Sequence, residues 1–105
     1  FVVMPLYDVD FQAGITTILE AQAMARPVVC TRTPGQTDTV IEGSTGRYVE
    51  PADPEELRRV ITGLLDDPDE VRRLGDAARD WTVRHADVER YAERLAEVVA
   101  ELRAT

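Results

Sequence analysis

The chain has 105 residues, 44% of them apolar and 30% charged, which is enough for one globular core and no more. Twelve basic residues against twenty acidic ones leave a net charge of −8, spread as six acids to three bases over residues 1–50 and fourteen to nine over residues 51–105, so no basic patch survives to hold nucleic acid or an anionic membrane. Every basic residue is arginine; the absence of lysine and asparagine excludes lysine-amine chemistry and N-glycosylation from these residues.

Phe1-Val2-Val3-Met4 is a continuous apolar, β-branched run stopped by Pro5, which predicts a strand over 1–4 buried on both faces. It opens the chain without an initiator methionine, and the expectation is a piece of something longer. A polar stretch from Tyr7 to Gln12 leads through Ala13-Gly14 into a helix over 15–25, ended by Pro27. Ile15, Ile18, Leu19, Ala21, Ala23 and Met24 make that helix apolar nearly all round, which predicts burial on every side. Val28-Val29-Cys30-Thr31 is the next strand, so the first third reads as a right-handed βαβ unit. Residues 32–46 hold Pro34-Gly35, Gly43 and Gly46 without a period and read as loop, with one helical turn near 38–41, before a short strand over 47–49.

From there the chain is helical. Asp53-Pro54-Glu55-Glu56 and Asp67-Pro68-Asp69-Glu70 each place an N-cap carboxylate, a proline at the first helical position and a glutamate at the third, the pattern of a capping box. Leu57, Val60, Ile61, Leu64 and Leu65 follow the first start; Val71, Leu74, Ala78 and Trp81 follow the second. A last helix opens near Asp87 and carries Val88, Tyr91, Leu95, Val98 and Leu102 on one stripe, with Glu89, Glu93, Arg90 and Arg94 on a solvated face. No apolar stretch approaches the ~20 residues of a spanning helix and no signal peptide opens the chain, so the expected location is cytoplasmic.

The chemistry-bearing segment is the first loop with the helix after it. Gly14 permits a tight turn, and the free N–H groups of Ile15 and Thr16 then sit at the positive end of the helix dipole, where an anion such as phosphate is favoured. Glu20 lies four residues after Thr16, on the same face and one turn deeper. A lone carboxylate in a buried helix needs a partner, and the vicinal diol of a ribose offers two donors to its two oxygens. A neighbouring backbone group or arginine would serve equally well, and spacing alone does not choose.

The residues from Gly14 to Val29, GITTILEAQAMARPVV, resemble the "LEAMAxGxPVV" helix and strand of retaining GT-B glycosyltransferases of family 4, which follow a glycine-containing loop. Pro34-Gly35 to Val40, Glu42 to Val49 and Asp53-Pro54-Glu55-Glu56-Leu57 are similar to that family's subsequent loop, strand and "DPEEL" helix start, in the same order. The resemblance implies an α/β fold, a partial Rossmann-like three-layer parallel sheet with a helical C-terminal half, and makes residues 1–105 one domain, the C-terminal portion of a nucleotide-sugar-binding GT-B domain. It implies a nucleotide-sugar donor with its diphosphate at Gly14, Ile15 and Thr16, its ribose at Glu20 and its sugar near Gln12 and Ala13. Transfer would go to an acceptor hydroxyl with retention and without a metal or other cofactor.

Glu20 matches the second glutamate of the family's E-x7-E motif, but Gln12 stands where the first is usual, and a glutamine offers no negative charge. Asp10 or Asp8, in a loop longer than usual, could substitute. The family commonly neutralises the diphosphate with an arginine and a lysine from segments N-terminal to this one, and its acceptor domain also lies upstream. The 105 residues alone are therefore expected to be catalytically silent and to self-associate through the open edge of the first strand; a full-length parent could sit peripherally at a membrane. The alternative is a truncated or degenerate copy acting as a non-catalytic interaction module, for which Gln12 is the best support.

The remaining residues of note favour plain roles. Cys30, the only cysteine, forbids an internal disulfide and reads as core. His85, the only histidine, reads as a surface residue in a charged linker; with so few soft ligands, no metal site is expected. Trp81 reads as packing.

Overall fold

The computed structural model describes residues 1–36 and 38–104; Thr37, inside the loop predicted over 32–46, and Thr105 lie outside the described residues. The elements run β1 (Val2–Met4), α1 (Ile15–Ala23), β2 (Val28–Thr31), β3 (Gly46–Val49), α2 (Pro54–Leu65), α3 (Pro68–His85) and α4 (Val88–Ala104). The β-branched run of β2 occupies the centre of a three-stranded sheet, with β1 and β3 paired to it in parallel, Val2 opposite Val28 and Val28 opposite Gly46. All four of its residues are buried, as a strand without polar alternation requires.

Alternation along β2 divides the core into two layers. Val28 and Cys30 join Ile18, Val40 and Tyr48 beneath α1, while Val29 joins Val49, Leu64 and Leu74 beneath α2 and α3. Helices therefore cover both faces of a parallel sheet, the three-layer α/β architecture expected. Predicted and observed strands agree for β2 and differ by one residue at the start of β1 and of β3.

Several expectations need correction, beginning with β1, which is half-buried throughout rather than buried on both faces. The helix over 15–25 ends at Ala23: Met24 is its C-cap and Ala25 adopts a left-handed φ of 57°, letting the amides of Ala25 and Arg26 bond the carbonyls of Gln22 and Ala21 at 3.0 and 2.9 Å. This is a Schellman-type end with alanine at the position where the "LEAMAxGxPVV" pattern carries glycine. Nor is α1 buried all round. Ile18 and Gln22 are its buried residues, whereas Met24 is 72% exposed and Glu20 is exposed. The helical turn near 38–41 does not form; Ser44 and Thr45 both donate to the Ile41 carbonyl at 3.0 Å, and Ile41 N–H donates to Thr45 Oγ1 at 2.8 Å, closing a turn further along.

The two Asp-Pro starts behave as caps. Asp53 accepts from Glu56 N–H at 3.0 Å and Asp67 from Glu70 N–H at 3.1 Å, each with proline in the first turn. The reciprocal halves of the two boxes are diverted, because Glu56 takes the Glu50 amide at 3.0 Å and Glu70 pairs with Arg73. His85 is the last residue of α3 rather than part of a linker. The stripe on α4 lies open, with Val88 75% and Leu102 69% exposed, and no described residue of that helix is buried.

Candidate functional site at the N-terminus of α1

In an open parallel sheet the loops leaving the carboxyl ends of the strands carry ligands. The segment over residues 5–14 leaves β1 there and is tied down near its two ends, by the last residue of β2 and by the segment that follows β2. At its start, Thr31 Oγ1 accepts from Leu6 N–H at 2.7 Å and donates to the Met4 carbonyl at 3.4 Å. At its end, the buried side chain of Gln36 donates through Nε2 to the Ala13 carbonyl. Gly35 backs against the same stretch so closely that a Cβ there would lie 2.0 Å from the Phe11 carbonyl oxygen.

Gly14 is the N-cap of α1, with φ of 73°, a backbone state that glycine enters freely and an L side chain does not. Among the described residues no side chain caps the helix, and no acid stands in its first turn. Its first intrahelical bond runs from Ile18 N–H to the Gly14 carbonyl at 3.1 Å, so the amides of Ile15, Thr16 and Thr17 have no partner inside the helix. Three N–H donors at the positive end of a dipole, uncapped, are suited to an anion.

Thr16 and Glu20 are both exposed and share one face of α1, as their spacing predicts. Glu20 is not buried, contrary to expectation, and so needs no partner: its carboxylate is in solvent and makes no hydrogen bond or ion pair with a described residue. What remains is an accessible acid one turn along from the free amides. The buried polar residue of α1 is Gln22, whose Nε2 donates to Thr82 Oγ1 at 3.0 Å while its Oε1 lacks a partner. Asp8, Asp10 and Gln12 are exposed on the loop, alongside Tyr7 at 92% and Phe11 at 62% exposure, two aromatics that no motif or spacing singles out. Ala13 is half-buried. Gln36 and its contact with Ala13 were also missed; Gly35 beside it is the one trace in the sequence.

Residues outside this region keep plain roles. Burial pushes the Cys30 thiol up to about 11, so at neutral pH it is protonated and unreactive. The His85 ring lies 5.3 Å from that of half-buried Trp81, in a cleft of about 440 Å³ whose other walls include Leu19, Arg84, Tyr91 and Arg94. None of the residues assigned above to phosphate, ribose or sugar lines that cleft. Among the described residues no group of three metal-ligating side chains comes together, and no helix is long and apolar enough to cross a membrane.

Known proteins resemble the chain in sequence and in fold. Over 84 residues the chain is 42% identical to D-inositol 3-phosphate glycosyltransferase of Streptomyces coelicolor, covering 80% of this chain and 17% of that protein. Over 82 residues it is 34% identical to a GDP-mannose-dependent phosphatidylinositol monomannoside mannosyltransferase of Mycolicibacterium smegmatis, covering 78% and 22%. The chain thus spans about a fifth of the length of these relatives. Among solved structures, sucrose-phosphate synthase of Thermosynechococcus elongatus superposes with a TM-score of 0.83 at 31% identity, over 98% of this chain and 25% of that one. Anabaena HepE, crystallised with UDP, shares the fold with a TM-score of 0.76 at 24% identity, over 81% of this chain and 23% of its own. Residues 2–81 match the family described as Glycosyl transferases group 1, and the chain belongs to that family.

Proposed function

We propose that these residues are the C-terminal portion of a nucleotide-sugar-binding domain, and that the full-length parent transfers a sugar from a nucleoside diphosphate donor to an acceptor hydroxyl with retention. The observation that carries this reading is the uncapped start of α1 at Gly14, with exposed Glu20 one turn on, inside a chain of this family. The amides of Ile15 and Thr16 receive the diphosphate charge and the Glu20 carboxylate accepts from the ribose hydroxyls. Gln12 and Ala13 face the sugar. Gln12 can hydrogen-bond a sugar hydroxyl without stabilising a developing positive charge, a task that falls to Asp10 or Asp8 on the same loop.

The partner is a nucleotide sugar, and the names of the relatives, one GDP-mannose-dependent and several acting on inositol 3-phosphate, are compatible with that class. The 105 residues alone hold part of the donor site and are catalytically silent; turnover of any nucleotide sugar by the isolated chain refutes this. Because β1 is an edge strand and the stripe on α4 is open, the isolated chain self-associates, and a strictly monomeric species in sedimentation at high concentration counts against it.

Gln12 also favours a second reading, a degenerate copy that keeps the fold as an interaction module without donor binding. Calorimetric titration of the full-length parent with UDP, GDP and ADP separates the two. Binding of one of them that Glu20→Ala weakens supports the donor site; no binding, or binding indifferent to Glu20→Ala, supports the module.

A further inference from the structure

Gln36 is 1% exposed on the segment after β2, and its side chain donates to the Ala13 carbonyl, 23 residues earlier and next to the Gly14 cap. The residues before it form a turn, Gln36 N–H donating to the Thr33 carbonyl at 3.0 Å, and Gly35 is seated against Phe11 and Gln12. The planar trans peptide between Ala13 and Gly14 points its N–H opposite to its C=O. A donor fixed on the Ala13 oxygen therefore aims the Gly14 N–H away from the side on which Gln36 is buried. It also fixes the entry angle of the chain into α1, and with it the amides of Ile15 and Thr16.

We propose that Gln36 is a positioning residue for the diphosphate end of the donor site: it touches no substrate, and through the Ala13 carbonyl it orients the amides that do. The proposal rests on the donor-site reading above. Preorganised amides bind an anion without a reorganisation cost at the moment of binding, whereas a loop free to rotate that peptide must be ordered first. The ribose end, held by Glu20 from within α1, does not depend on the peptide that Gln36 controls.

The experiment is calorimetry on the full-length parent with UDP, GDP and ADP, and with the nucleoside of whichever binds. Gln36→Leu keeps much of the volume and removes the donor. It is expected to weaken the nucleoside diphosphate about tenfold, the loss of roughly one hydrogen bond's worth of organisation, and to leave the nucleoside unchanged. Gln36→Asn, one methylene too short to reach Ala13, is expected to behave the same way and serves in its place should Gln36→Leu not fold. Equal diphosphate affinity in wild type and variant overturns the proposal. So does equal weakening of diphosphate and nucleoside, which is what a merely structural role produces. A wild type that binds none of the three overturns the donor-site reading itself, and this proposal with it, an outcome distinct from the other two.

Discussion

The helix that begins at Gly14 and the two that begin at Asp53 and Asp67 solve the same physical problem in opposite ways. Every helix opens with amides that lack intrahelical partners. At α2 and α3 the chain satisfies them itself, with an aspartate on the Glu56 or Glu70 amide, a proline in the first turn and two acids against the dipole. At α1 the described residues supply none of these: the cap is glycine, no side chain among them bonds back and the first turn holds no acid. A helix start with glycine at the cap forgoes a few tenths of a kcal/mol relative to an aspartate cap and leaves its amides available to something from outside. On the proposed reading, the difference separates helix ends that serve stability from one that serves binding.

The largest expected effect comes from closing the one glycine that makes the open start possible. Gly14→Ala places an L side chain at φ of 73°, with Cβ 2.5 Å from Met4 Cε. It should cost about 1–2 kcal/mol in urea unfolding and weaken nucleoside diphosphate binding by the full-length parent. Next in size, Asp53→Ala and Asp67→Ala should each cost about 1 kcal/mol of stability and leave nucleotide affinity as it was. A change in affinity from either would break the division between the two kinds of helix start. Thr16→Glu sharpens it further, because stability and binding should move in opposite directions. An acid in the first turn of α1 stabilises the helix by about 0.5 kcal/mol at low salt, while its charge repels a diphosphate in titration calorimetry.

The smallest effect is in acid. The Arg73 guanidinium holds the Glu70 carboxyl below its ordinary value, so folding gains from this pair above that value and loses the gain as pH falls through the depressed one. Glu70→Gln should therefore flatten the acid limb of thermal stability slightly, as befits an exposed pair. The open start of α1, with no acid in its first turn, contributes nothing to that limb.

What the sequence made legible follows local chemistry. The Asp-Pro starts could be read because an N-cap and its target amide lie three residues apart, and both bonds are present. The unbroken β-branched run of β2 could be read because a strand covered on both faces needs no polar alternation. The left-handed glycine at the start of α1 also follows from the turn it must make. Burial of Glu20 did not follow from the apolar residues around it, since α1 leaves Met24 and Glu20 in solvent while hiding Gln22. Apolar composition reports what a helix can bury, and packing decides which face it does bury. Gln36 was out of reach because its partner lies 23 residues away and a lone glutamine in a loop carries no period or cap signature. The stripe on α4 was read correctly as one helical face, but packing leaves Val88, Tyr91 and Leu95 more than half exposed.

Hydrogen exchange of the full-length parent, with and without the nucleoside diphosphate that binds it, tests the contrast between the helix starts most directly. Added nucleotide should slow exchange at the amides of Gly14, Ile15 and Thr16 and leave the first turns of α2 and α3 unchanged. Protection at Glu56 or Glu70 with none at Ile15 and Thr16 would contradict the account.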